Sequence, residues 1–207
     1  MKTIHSFLLL LLLSTQGLAV GEDLETVRQQ TLQLLTFGEG SGQYRERVIA
    51  AKEAWADRYL SGPADQLTPE DWENVDIGED VANRSEDLHR LAEAYVLEGC
   101  RFAGDPAVRQ RLQEELDHLL NYFHPETERP GNWYPWYITT TRHLGALGLL
   151  LEDDLPDALM GRLLASLRHE LVDLRLNGAN AAWEARNHAY LALLERDVDR
   201  LAAAAEH

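Results

Sequence analysis

The sequence predicts an all-α chain of antiparallel helical hairpins, a layered α/α assembly rather than a compact four-helix bundle. Three observations predict it. Apolar residues recur at helical spacing almost throughout the chain. No stretch alternates apolar and polar residues as a half-buried strand would. Short links bearing Gly or Pro separate successive helical runs, which favours hairpins of neighbouring helices. A length of 207 residues is enough for one domain with a sizeable core.

The first twenty residues stand apart. Lys2 supplies a positive start, Phe7 to Leu13 is an unbroken apolar run, and Gly17-Leu18-Ala19 offers small residues for cleavage. This reads as a secretory signal peptide over residues 1–20. The apolar run is far short of the roughly 20 residues that span a bilayer. Residues 21–207 are then one soluble domain, secreted or periplasmic, with no membrane association after cleavage.

Each helix has its own signal. Glu22 to Phe37 aligns Leu24, Val27, Thr31, Leu34 and Leu35, and Gly38-Glu39-Gly40-Ser41-Gly42 breaks it. Gln43 to Leu60 aligns Val48, Ala51, Trp55 and Tyr59. Ser61 to Arg84, rich in Pro, Gly and Asp, reads as a long loop or short distorted helix. Ser85 fits an N-cap for a helix over Glu86 to Phe102. Gly104-Asp105-Pro106 turns the chain, with Pro106 suited to the first turn of the helix that runs to Phe123. A loop from His124 to Pro135 precedes a helix from Trp136 to Leu151. Pro156 opens another to about Leu174, Gly178 punctuates, and Ala179 to Arg196 follows. A last helix starts at Asp197. The stretch Leu201 to His207 is strong helix former without a stop signal, so the chain is expected to be part of a longer protein.

Composition narrows the partners. The net charge of −16 argues against nucleic acid, whose binding needs basic surface. It also opposes an acidic polymer at long range, unless a local cleft is neutral or basic. Cys100 is the only cysteine, so no internal disulfide forms, and it reads as a small buried residue. The pairs Glu86-x-x-His89 and Glu115-x-x-His118 resemble halves of a di-iron bundle site. They lie beside the apolar stripes on helices joined by a tight turn, so charged flanks are the expected reading. Neither metal nor cofactor is expected. Asn83-Arg84-Ser85 matches the short, common N-glycosylation pattern.

The most informative segment is Asn132-Trp133-Tyr134-Pro135-Trp136-Tyr137, taken with Asn177-Gly178-Ala179-Asn180. Aromatic faces at a helix start can stack on sugar rings, and a nearby side-chain amide can hold a carboxylate. On residue type alone, Asn180 equally fits a helix cap after an Asn-Gly turn. The aromatic residues equally fit core packing. Trp55, Trp72 and Trp183 read as packing.

The segment Asn132 to Thr139 resembles the Asn-Trp-Trp-x-x-Glu-Ile-Gly signature of polysaccharide lyase family 8, the hyaluronate, chondroitin AC and xanthan lyases. Gly178-Ala179-Asn180 resembles that family's Gly-Ala-Asn loop. The resemblance implies an incomplete α/α toroid followed, in the whole protein, by β-sandwich domains. It implies β-elimination: a base removes the C5 proton of a uronic acid and the 4-linked sugar leaves. Asn180 is the implied catalytic residue, its amide taking up charge on the carboxylate in an enolate-like transition state. Trp133 and Tyr134 hold the places of the family's stacking pair, and Trp136 joins them as a candidate substrate contact. The family's Glu, Gly and Pro are here Tyr137, Thr139 and Thr141, and the acidic residue that often follows Gly-Ala-Asn is Trp183. The family's catalytic His and Tyr lie some tens of residues past the Asn, beyond His207. His188 and Tyr190 lie about 200° apart on one helix and cannot replace them. The chain alone is therefore expected to bind acidic polysaccharide without cleaving it. The alternatives are a non-catalytic carbohydrate-binding module and a redox or metal bundle. An open toroid edge would expose apolar faces, so self-association is also expected.

Overall fold

The computed structural model describes residues 20–36, 43–62 and 76–207, and every regular element in them is helical. In chain order these are α1 (Val20–Thr36), α2 (Gln43–Ser61), α3 (Ile77–Val96), α4 (Pro106–Leu119), a π-helical turn (Pro135–Thr140), α5 (Thr141–Leu150), α6 (Asp157–Glu170), α7 (Ala179–Glu195) and α8 (Val198–Glu206). The expected signal peptide, the Gly38–Gly42 break and Trp72 lie outside the described residues, Val20 excepted. No described helix is long and apolar enough to cross a membrane.

The α5 helix is the centre of the fold. All of it is buried except Arg142. It packs against α3, α7 and α6 and also touches α1. Two glycines permit the close approach: a Cβ on Gly145 would sit 3.0 Å from Tyr190 Cβ, and one on Gly148 would sit 3.1 Å from Leu163 and Leu194. Leu144, Leu147, Leu163, Leu167 and Leu191 fill the space between, all at 0% exposure. Burying side chains of this size contributes about 1.5–3 kcal/mol each.

Local capping signals explain the starts of two helices. Asp105 caps α4, its Oδ1 accepting from the Ala107 N–H (2.8 Å) and the Val108 N–H (3.4 Å), with Pro106 in the first turn. Asp197 caps α8 through the Arg200 N–H at 2.9 Å. The third helix differs from the sequence reading. It begins at Ile77 rather than Glu86, because Ile77 and Val81 already belong to the buried stripe. Glu79 and Asp80 complement its N-terminal dipole. Ser85 caps nothing: it is fully buried and its Oγ donates to the Ala82 carbonyl at 2.7 Å. The same burial removes Ser85 of the Asn83-Arg84-Ser85 pattern from the surface. The helix also ends earlier, at Val96, so buried Cys100 sits in the following turn. The expected helix from Trp136 to Leu151 is in two parts, the π turn and then α5.

Candidate functional site

Two separated segments build the site. The first starts where Asn132 Oδ1 accepts the Tyr134 N–H at 3.1 Å, capping the turn that carries the aromatic residues. The chain leading into it is pinned by Arg129. That guanidinium lies over Phe123 (4.7 Å) and Trp136 (5.3 Å), pairs with Glu170 at 2.7 Å, and donates to the Thr127 and His124 carbonyls. The π turn that follows bonds i to i+5 and leaves carbonyls off the α-helical register. Asn187, only 1% exposed, reaches across from α7 to serve them. Its Nδ2 donates to the Ile138 carbonyl at 2.9 Å and to Thr141 Oγ1 at 2.8 Å.

The aromatic residues divide by exposure. Trp133 is 47% exposed. It stands edge-on to Tyr134, with centroids 5.8 Å apart, and tilted to Tyr137 at 6.2 Å. Trp136 is a correction to the sequence reading. At 1% exposure it lies in the core, parallel to Phe123 at 6.4 Å, with Nε1 donating to the Pro130 carbonyl at 3.0 Å. A ring enclosed in this way has no face left for a sugar.

The second segment is the loop after α6 and the start of α7. Gly178 carries φ of +61°, a backbone conformation that favours glycine. Asn180 follows as the second residue of α7, half-buried, with its amide hydrogen-bonded to none of the described residues. It is not a helix cap, since α7 begins without a side-chain cap bond. Trp183, one turn on, is 37% exposed and meets Tyr134 edge-on at 5.8 Å. It is a wall of the site rather than the packing residue the sequence suggested.

Between the segments lies a cleft of about 150 Å³, lined by Tyr134, Ile138, Thr139, Arg142, Trp183 and Arg186. It is smaller than a typical cleft for a whole small molecule, about 300 Å³ or more, and suits one anionic group. Both guanidiniums lack a carboxylate partner among the described residues; Arg186 donates only to Asn187 Oδ1, at 3.2 Å. Burial, with repulsion from Arg142, lowers the Arg186 pKa to about 10, so it remains a cation at neutral pH. The sequence reading missed these arginines. The signal was spacing: Tyr134, Ile138 and Arg142 recur every four residues, and Trp183 and Arg186 are three apart.

Other candidates are occupied elsewhere. His188 and Tyr190 are both buried, His188 facing Arg200 at 3.5 Å and Tyr190 packed on Gly145. His89 pairs with His143, Nδ1 to Nδ1 at 3.0 Å, rather than with Glu86. Glu115 accepts from the Tyr59 hydroxyl and pairs with Arg111. Among the described residues no three His, Cys, Asp or Glu side chains are grouped to hold a metal.

Fold and cleft together define an all-α domain with a cationic, aromatic-walled groove. The pattern of the polysaccharide lyase family 8, N-terminal alpha-helical domain, matches residues 44–207, and the chain belongs to that family. A hyaluronate lyase of Thermasporomyces composti is 26% identical over 199 residues, 90% of this chain and 25% of that protein. The Paenibacillus xanthan lyase structure superposes with a TM-score of 0.78 at 20% identity, covering 90% of this chain and 19% of that one. The Streptomyces coelicolor A3 chondroitin AC lyase, solved in complex with chondroitin sulphate, gives 0.74 at 26% identity, covering 89% and 26%. The helical hairpins are thus those of the α/α toroid, here an incomplete one. The chain spans about a quarter of the hyaluronate lyase's length.

Proposed function

We propose that this chain is the N-terminal toroid region of a secreted polysaccharide lyase and binds acidic, uronic-acid-containing polysaccharide through Trp133, Tyr134 and Asn180. In the full-length protein the same site cleaves by β-elimination. The observation that carries the reading is the cleft that Tyr134 and Trp183 line together with Arg142 and Arg186, neither of which has a carboxylate partner among the described residues. On a chain of net charge −16, two arginines lining one cleft, without carboxylate partners among the described residues, favour an anion there. The exposed face of Trp133 offers a stacking platform beside it. The amide of Asn180, hydrogen-bonded to none of the described residues, is suited to hydrogen-bond a uronate carboxylate, which stabilises charge developing as the C5 proton leaves. The names of the hyaluronate and chondroitin AC lyases point to the same substrate class.

With His188 and Tyr190 buried, this chain on its own binds without eliminating. The test is affinity electrophoresis of the chain in gels containing hyaluronate or neutral dextran. Hyaluronate alone retards it, less so as salt rises. Trp133→Ala weakens binding about two- to tenfold. Replacing Arg142 and Arg186 together by Gln removes the salt-sensitive part. Equal retardation by dextran, or none by hyaluronate, would overturn the reading. In the full-length protein, Asn180→Ala abolishes the absorbance of the unsaturated product while hyaluronate is still bound.

A further inference from the structure

The family motif carries a carboxylate on the aromatic segment, where this chain has Tyr137. The carboxylate is found instead across the contact. Glu184 on α7 is fully buried, and its Oε1 accepts a short hydrogen bond from the Tyr137 hydroxyl. Its Oε2 accepts from the backbone N–H of Arg175 at 3.0 Å and of Leu176 at 2.8 Å. The ring of His207 reaches the same oxygen at 3.0 Å. One side chain therefore ties together the aromatic turn, the loop that runs into Asn177-Gly178-Ala179-Asn180, and α7. Glu184 also lies four residues after Asn180, on the same side of that helix.

We propose that Glu184 is the positioning residue of the site, holding the Trp133–Tyr134 turn and the Asn180 loop in one fixed relation. The inference rests on the polysaccharide-binding reading for its consequence, though not for its geometry. The carboxylate is suited to the task because it only accepts, and donors from three elements converge on it. Burial disfavours its charge, but the Tyr137 hydroxyl, the two backbone N–H groups and His207 outweigh that, and its pKa lies below the ordinary carboxylate value. Arg175 adds a second tie between the same segments, its guanidinium 4.6 Å from the Tyr137 ring centroid. Without the carboxylate, the 175–176 backbone and the Tyr137 hydroxyl lose their common anchor.

The experiment compares wild type, Glu184→Gln, Tyr137→Phe and a control, Leu163→Ala, which loosens the core away from the cleft. Hyaluronate binding is measured by titration of tryptophan fluorescence, at a temperature where circular dichroism shows each variant fully folded. Amide exchange is followed by mass spectrometry. Positioning predicts that Glu184→Gln weakens binding about tenfold or more and Tyr137→Phe about threefold, while Leu163→Ala loses stability at unchanged affinity. Exchange rises at 134–138 and 174–180 together in the first two variants and not in α5. Affinity within twofold of wild type in folded Glu184→Gln would overturn the proposal. If Glu184→Gln does not fold, the same criterion applies to Tyr137→Phe. Should wild type bind no hyaluronate, the functional reading fails by itself. The exchange pattern then decides the clamp: joint release of both segments supports it, and unchanged exchange refutes it.

Discussion

Gly78 shows how much of the site depends on one missing methyl group. A Cβ there would lie 2.8 Å from Trp136 Nε1. The indole is held against moving aside, since Nε1 donates to Pro130 and the ring packs against Phe123 and Arg129. Gly78→Ala gains about 1 kcal/mol of helix propensity. Overpacking a rigid contact costs about 1–3 kcal/mol, so the steric effect dominates. The variant is expected to unfold at lower urea concentration with an unchanged m-value. At this scale Trp133 and Trp136 were alike in the sequence, three residues apart in one aromatic block. What separates them is a parallel partner at Phe123 and a carbonyl at Pro130, and neither is visible without the fold.

At the scale of elements, the π turn is held by a residue from another helix. Asn187→Ala leaves the Ile138 carbonyl buried without its donor. An orphaned buried acceptor costs about 1–3 kcal/mol. Hydrogen exchange should speed up across the π turn and its junction with α5, while α6 keeps its protection; uniform acceleration would contradict a local role. Helices with strong local signals were legible: Asp105-Pro106 opened α4 and Gly178 preceded α7 as read. The start of α3 was not, because Ser85 has the chemistry of a cap but sits on the buried stripe. The π turn was not legible either, since its stabilising amide lies 47 residues away from Thr140.

For the whole molecule, the buried histidines set the acid limit. Burial lowers the pKa of His89 and His143, with Arg142 and Arg186 adding repulsion to both and His89 adding to that on His143. Burial, then Arg200, brings His188 to about 4. All three stay neutral in the folded chain as pH falls below 6.5, where the unfolded chain begins to take up protons. Their contribution to stability is therefore flat well above that pH and declines below it, by up to about 1.4 kcal/mol per pH unit for each histidine. Thermal midpoints measured from pH 8 to 4 should bend downward near 6.5, and His188→Gln should make the decline shallower by about one proton's contribution. The α/α class and the two segments of the site were legible, because helical periodicity and short motifs are local. The cleft was not, because Arg142 and Arg186 become neighbours only when α5 packs beside α7.

The π turn has one more consequence. An i to i+5 turn accommodates one residue more than an α-helical turn would. Each residue of an α-helix advances the chain by about 100°. The turn thus acts as a phase shifter: the outward angle of Trp133 and Tyr134 is set separately from the angle at which α5 meets the core. Deleting one residue there, for example Thr139, would relax the turn to α-helical spacing and leave both α5 on its leucines and the aromatic pair near its present angle, whereas one residue fewer in a purely α-helical run would swing the pair about a quarter turn. The aim of the stacking platform is therefore buffered against a change of one residue in the length of the turn.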